Sequence, residues 1–235
     1  MNIFYSNIIN QNIITLDRVE ANHCIKALRH DLGDLVYVTD GQGCLYKCII
    51  EEIKDKYALL KIVDKEEKFK RYNVHIAISP IKNHDRLEWF VEKAVEIGVD
   101  KISFIKCERT LRKKIRIDRL KKIAITAMKQ SLKTSVPIIG PIISIEDFLN
   151  SCKADNRFIC YLSNDRNFIF DKKICKYKEI CILIGPEGDF SEKEINIALT
   201  KKFEFLSLGD SRLRSETAGV VACHLANIVL GVNQS

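Results

Sequence analysis

Beyond residue 73 the chain settles into one rhythm: short apolar runs of strand length alternate with longer segments whose apolar residues recur at helical spacing. The runs fall at residues 74–78, 102–105, 157–162, 180–184 and 204–208. After the first of them, Leu87, Phe90, Val91, Ala94 and Val95 share one helical face, with Asp85 and Glu88 in capping-box spacing and Gly98 as the stop. A second helix is expected over 118–133, and a third opens at Ser191 with Glu194 three residues on. A fourth, over 215–230, is apolar nearly all round, which calls for burial against the rest of the chain or against another subunit. Strands alternating with helices predict an α/β domain whose sheet is mostly parallel and covered on both faces.

The amino-terminal part reads differently. Residues 35–39, 44–50 and 57–63 carry β-branched and aromatic side chains in strand-length runs, and Asp40-Gly41-Gln42-Gly43 between the first two reads as a hairpin turn. With the residues before them they suggest a small β-barrel. The polar stretch 64–71 reads as a linker, so two domains are expected, 1–70 and 71–235. The 235 residues suffice for both, and a 46% hydrophobic, 29% charged composition is that of an ordinary globular chain.

The start of the chain lacks a basic end followed by an apolar core, and no run is long enough to span a bilayer, so a cytoplasmic protein is expected. Nine cysteines occur, an odd number with no C-x-x-C pair, which favours buried reduced thiols over disulfides or a metal site; Cys44 and Cys48 are expected to face inward. The net charge is +7, and from Arg109 to Lys122 eight basic residues stand against the single acid Asp118. A salt-bridged helix would intersperse its acids, so the run favours a polyanionic partner such as RNA.

Two stretches behind apolar runs carry the chemistry. Ile184-Gly185-Pro186-Glu187-Gly188-Asp189-Phe190-Ser191 is confined between a strand and a helix start, and Leu206-Ser207-Leu208-Gly209-Asp210-Ser211-Arg212-Leu213-Arg214-Ser215-Glu216-Thr217-Ala218-Gly219 leads into the last helix. Both are glycine-bearing loops at carboxyl ends of strands, the edge of an open α/β sheet where ligands bind. Neither is a phosphate loop: the chain has no G-x-G-x-x-G after a strand and no G-x-x-x-x-G-K-[ST].

Together the loops resemble the cofactor site of the SPOUT methyltransferases, and in particular that of the RsmE family of ribosomal RNA uridine-N3 methyltransferases. That family has G-P-E-G-G-F-S, here Gly185 to Ser191 with Asp189 in place of a glycine. It also has L-G-x-R-I-L-R-x-E-T-A, which the stretch from Leu208 to Ala218 resembles. His23 to Arg29 with Gly33-Asp34 resembles the family's barrel signature. Glu92 to Val99 and Met128 to Pro137 resemble two further segments, with Lys129 where an acid is common.

The resemblance implies a carboxyl-terminal α/β knot, a deep trefoil, behind a PUA-like barrel. It implies S-adenosylmethionine held by Leu162, Ile184, Gly185, Pro186, Glu187, Gly188, Leu206, Leu208, Gly209, Leu213, Thr217 and Ala218, in a homodimer acting on 16S ribosomal RNA of the small ribosomal subunit. Methylating uracil N3 requires its proton to leave, taken by a base or released as a cation stabilises the uracil anion. Arg214 is the candidate cation, and Glu216 and Glu187 are candidate bases. His23, Lys26 and Arg29 in the barrel, and Arg109, Arg112, Lys113, Lys114, Arg116, Lys129 and Lys133, are candidates for RNA phosphates. Two other readings stand beside this one: a non-catalytic RNA-binding or ribosome-assembly factor, and a SPOUT methyltransferase acting on another RNA.

Overall fold

The computed structural model describes residues 2–68, 70–161 and 178–231. It divides into two units, Met1–Lys70 with Ile125–Val136, and Arg71–Ala124 with Pro137–Ser235. A single division at residue 70 leaves Ile125–Val136 with the wrong neighbours, because hydrogen bonds and an ion pair tie that segment to the first unit.

In the first unit β1 (Ile3–Tyr5), β2 (Ile9–Asn10), β3 (Ile13–Leu16), β4 (Leu35–Thr39), β5 (Cys44–Ile53) and β6 (Ala58–Glu67) form one six-stranded sheet. Its order is β1-β4-β5-β6-β3-β2, antiparallel except for β1 against β4. Alternate residues, among them Ile14, Leu16, Val36, Val38, Cys48, Ile50 and Leu60, enclose a core with Phe4. Each such side chain contributes about 1.5–3 kcal/mol. Asp64 to Glu67 are not linker, because they extend β6 and pair with Lys47 to Cys44 of β5.

Helix α1 (Arg18–Asn22) is capped by Asp17, whose Oδ1 accepts from Val19 and Glu20 N–H, both at 2.9 Å. It continues into a π-helical turn, His23–Ala27. The hairpin turn at Gly41 docks on the second segment: Val136 N–H donates to Gly41 O at 2.8 Å, and Thr134 O accepts from Gly43 N–H and the Thr39 hydroxyl, each at 2.9 Å. Lys129 pairs with the nearly buried Glu20.

The second unit has a six-stranded, wholly parallel sheet of β7 (Asn73–Ile78), β8 (Lys101–Lys106), β9 (Ile138–Ser144), β10 (Asn156–Cys160), β11 (Glu179–Ile184) and β12 (Glu204–Leu206), in the order β12-β10-β11-β7-β8-β9. The central strands β7 and β11 are buried on both faces, which is why they read as continuous apolar runs. Strand β9 is absent from the expected set because Gly140-Pro141 interrupts it. A strand tolerates proline at a sheet edge, and β9 is an edge strand with a register irregularity there. It leads directly into α4 (Ile145–Ser151), which Ser144 caps.

Helix α2 (His84–Ile97) buries the predicted face and ends at Gly98, with φ +120°. Its cap, however, is Asn83, whose side chain accepts from Asp85 and Arg86 N–H; Asp85 lies inside the first turn, and Glu88 pairs with Arg119. Helices α3 (Ile117–Gln130), α5 (Glu192–Thr200) and α6 (Ser215–Gly231) complete the elements of the described residues. Where α6 crosses α2, Gly219 lets the backbone approach the Phe90 ring. The opposite side of α6 is left uncovered by the described residues of this chain: His224 and Ile228 are exposed, and Val221 and Leu225 are only half-buried.

Candidate active site

Strand order reverses between β7 and β11. The chain leaves β7 toward β8 and β9, whereas β10 and β12 lie on the other side of β11. The crevice at the carboxyl ends of these two strands is therefore the topological switch point of the sheet.

Several loops are fastened together there. Ser79, just past β7, shares a 2.8 Å hydroxyl contact with Thr110, past β8, and its N–H donates to Ile184 O at 3.0 Å. Arg109 donates to Gly188 O at 2.7 Å, and its aliphatic stem lies where a Gly188 Cβ would be 3.4 Å away, in ordinary van der Waals contact. Arg112 donates from Nε to Ile81 O at 2.8 Å and from Nη2 to Lys82 O, while its Nη1 contacts His84. Glu194 closes the predicted capping box with Ser191, and its second oxygen accepts from Glu108 N–H at 2.7 Å.

The two glycine-bearing loops meet as the sequence suggests. Ser215, the first residue of α6, donates its hydroxyl to Gly185 O at 3.0 Å, so the 207–214 loop ends against the 185–191 loop. Gly209 has φ +109° with nothing within 4 Å of a would-be Cβ. An L side chain is strained in that conformation, and the space beside it is open. Ile184, Gly185, Pro186 and Leu206 are buried, Leu208, Leu213, Thr217 and Ala218 are half-buried, and Glu187 and Gly188 are exposed. Leu162 lies outside the described residues.

Asp189 adopts φ +62°, the left-handed region that favours glycine and that aspartate enters at small cost. Its N–H donates to Pro186 O at 2.9 Å, and its Oδ1 accepts from Phe190 N–H at 2.8 Å. Burial raises its carboxyl above the ordinary range, while the Phe190 N–H and then Arg109 and Arg212 oppose the shift. The carboxylate thus feels groups from both loops.

The three candidate catalytic residues differ. Arg214 is exposed, and among the described residues its side chain has no hydrogen-bond or ion-pair partner. Glu216 is 6% exposed and faces Arg86 Nε at 3.5 Å. Glu187 accepts from Lys82 N–H at 2.9 Å. Arg86, the second bond of Glu194 and the Ser79–Thr110 pair escape a reading of the sequence, since each joins a partner far along the chain.

The candidate RNA contacts divide between the two units. His23, Lys26 and Arg29 are exposed on the first unit, where Arg29 has φ +59°. Lys129 is engaged by Glu20, and Lys133, on the same segment, is half-buried. On the second unit Lys113, Lys114 and Arg116 are exposed, whereas Arg109 and Arg112 brace the loops of the switch point.

Family models match both parts of the chain: an RNA methyltransferase domain over residues 67–227 and an RNA methyltransferase PUA domain over 16–63. Ribosomal RNA small subunit methyltransferase E of Bacillus subtilis is 27% identical over 219 residues, 86% of this chain and 85% of that one. This chain belongs to the RsmE family of RNA methyltransferases.

Solved structures agree with the family. A crystal structure described as that of a probable rRNA-methyltransferase from Porphyromonas gingivalis is 39% identical, with TM-score 0.90 over 100% of both chains. Ribosomal RNA small subunit methyltransferase E from Neisseria gonorrhoeae, bound to S-adenosyl methionine, is 25% identical, with TM-score 0.87 over 97% of this chain and 98% of that one. The RsmE-family chain therefore joins an amino-terminal PUA domain to a parallel α/β methyltransferase domain. Among its described residues no helix is long and apolar enough to cross a membrane, and no group of three His, Cys, Asp or Glu could hold a metal ion.

Proposed function

We propose that the chain is an S-adenosylmethionine-dependent enzyme that methylates N3 of a uridine in 16S ribosomal RNA, acting in the cytoplasm as a homodimer with a knotted carboxyl-terminal domain. The observation that carries the reading is the meeting of the 185–191 and 207–214 loops at the switch point, joined through Ser215 and Gly185. The residues present suit the cofactor. Half-buried Leu208 and Leu213 offer apolar faces to a planar base, and the open, positive-φ turn at Gly209 admits a ligand against backbone. When bound, the cofactor supplies a methyl group already activated on a sulfonium.

The chain's own residues do the rest. Arg214, exposed at the entrance of α6 and without a partner among the described residues, stabilises the anionic oxygens of uracil as the N3 proton leaves. Glu216 and Glu187 are candidates for the base, but each is engaged: Glu216 holds Arg86 from a buried position, and Glu187 fixes the loop after β7. They act as positioning residues, and solvent takes the proton. Ile184, Gly185, Pro186, Gly188, Leu206, Thr217 and Ala218 complete the cofactor pocket.

The homodimer reading is supported by the face of α6 that a single chain leaves uncovered, Val221, Leu225 and Ile228 at helical spacing. RNA phosphates fall to His23, Lys26 and Arg29 on the first unit and to Lys113, Lys114 and Arg116 on the second. The test is methyl transfer from labelled S-adenosylmethionine to small ribosomal subunits, free rRNA and tRNA, with nucleoside analysis. The expected product is 3-methyluridine in 16S rRNA. Absence of cofactor binding by calorimetry refutes the enzyme reading, and a different methylated nucleoside refutes the substrate.

A further inference from the structure

The segment after β7, residues 79–86, touches both cofactor loops. Lys82 N–H donates to Glu187 Oε1 at 2.9 Å in the first, and Arg86 Nε faces Glu216 Oε1 at 3.5 Å just past the second. Burial anchors its start, where Ser79 and Ile81 are 0% and 1% exposed, but residues 82–86 are exposed. At that transition one guanidinium holds the backbone. Arg112 donates from Nε to Ile81 O at 2.8 Å and from Nη2 to Lys82 O, and its Nη1 lies 2.9 Å from His84 Nδ1 at the start of α2. We propose that Arg112 is a positioning residue for methyl transfer, pinning the 79–86 segment so that Glu187 and Glu216 hold the two cofactor loops in place. The inference rests on the methyltransferase reading given above.

The arrangement calls for arginine and not merely for positive charge. Guanidinium carries its N–H donors in a rigid fork and can serve several fixed acceptors at once, whereas the ammonium of lysine is a point charge on a flexible stem. Lys113 and Lys114 next to it are exposed, but Arg112 is half-buried with its donors committed to carbonyls. A phosphate would have to displace those carbonyls, leaving Ile81 O and Lys82 O in need of other donors.

The backbone that carries Arg112 is itself fixed. Thr110, two residues earlier, meets the Ser79 hydroxyl at 2.8 Å in a buried contact, and its Oγ1 accepts from Cys107 N–H at 2.8 Å. The guanidinium therefore reaches Ile81 and Lys82 from a preorganised base. Without it, Lys82 is free to move, and Glu187 loses a fixed partner. The 185–191 loop then keeps Arg109 on Gly188 O and Ser215 on Gly185 O but not its tie to the segment after β7. Cofactor binding must restore that order, so affinity for the cofactor falls while the exposed lysines remain as they were.

Calorimetry with S-adenosylmethionine compares the full-length parent with Arg112→Lys and Arg112→Ala. Both variants should bind about tenfold more weakly, the equivalent of one hydrogen bond to a charged group. Arg112→Lys keeps the charge but loses the fork, so a phosphate contact would survive in it and the pin would not. Binding of 16S rRNA across a salt series should be unchanged in both, with the parent's slope of log Kd against log salt. In steady state the KM for cofactor should rise about tenfold with the KM for RNA unchanged. A merely structural loss would lower the folded fraction and hence kcat, leaving the KM for cofactor where it was. Combining Arg112→Ala with Glu187→Ala should cost less cofactor affinity than the sum of the single losses, because both break one path. Parent-like cofactor affinity in Arg112→Lys, additive losses in the double variant, or a salt slope flattened by about 1 in Arg112→Ala overturns the proposal. A parent that binds no cofactor refutes the enzyme reading and this inference with it, whereas a parent that binds beside an equally tight Arg112→Lys refutes this inference alone.

Discussion

Replacing a helical glycine by alanine normally stabilises a protein, by about 1 kcal/mol in a helix interior. At Gly219 the structure demands the opposite. A Cβ there would lie 2.5 Å from Phe90 Cε2, 2.9 Å from Phe90 Cδ2 and 3.3 Å from Ile78 Cδ1. Phe90 and Ile78 are both fully buried, so neither can swing into solvent, and α6 must move away from α2 and β7. Overpacking of a closed core costs about 1–3 kcal/mol, and an approach this short belongs in the upper half of that range, about 2–3 kcal/mol. After the propensity gain, Gly219→Ala should be destabilised by about 1–2 kcal/mol. For a chain of this size that lowers the melting temperature by roughly 2–8 °C.

Urea denaturation of both proteins, fitted with a common m-value, reads the difference directly. Combining Gly219→Ala with Phe90→Leu should lose less than the sum of the single losses, because the smaller side chain removes the clashing ring. Glu216, Thr217 and Ala218 precede the site of strain within one helical turn, so cofactor affinity should fall with stability. A Gly219→Ala protein as stable as the parent, or more stable, would refute the close approach of the helices.

His75 stays neutral in the fold because burial, and then Lys101, lowers its pKa to about 3 from 6.5. The unfolded chain therefore binds one proton more between those values, and stability fully present above pH 6.5 is lost as pH falls, by about 1.4 kcal/mol per pH unit. Urea titrations at pH 7 and pH 5 should differ by about 2 kcal/mol more in the parent than in His75→Gln. For Asp189 the sign reverses: its raised pKa means that stability falls as pH rises from the unfolded value of 3.8 through the folded one, so Asp189→Asn should gain on the parent at pH 7 and lose that gain in acid. A parent and variant with parallel pH profiles would contradict this. Removing Lys113, Lys114 and Arg116 together should weaken RNA binding without changing sequence preference. The slope of log Kd against log salt should flatten by about 1 for each phosphate no longer neutralised. An unchanged slope would place the RNA elsewhere.

What the sequence makes legible follows from the range of the interactions. The central strands β7 and β11 are read from their residues alone, because burial on both faces leaves an unbroken apolar run. The capping box at Ser191 is read equally well, since its partners lie three residues apart. The second bond of Glu194, to Glu108 N–H, spans 86 positions and leaves no local trace. The same holds for Arg86 with Glu216, and for Arg112, which looks like part of a phosphate-binding run until its guanidinium is found on the carbonyls of Ile81 and Lys82. Strand β9 is hidden for another reason: Gly140-Pro141 carries a turn signal that edge position overrides.

The first unit is assembled from two stretches of chain, Met1–Lys70 and Ile125–Val136, with β7, α2 and β8 made between them. During synthesis its early strands must therefore wait for more than fifty further residues before Lys129 reaches Glu20 and Val136 reaches Gly41. A gene truncated at residue 70 would encode a sheet lacking the piece that closes over its hairpin turn, with Glu20 left partly buried and without its lysine. An isolated version of this unit is better built by grafting 125–136 onto the end of 1–70 through a short flexible linker than by cutting the chain where its composition changes.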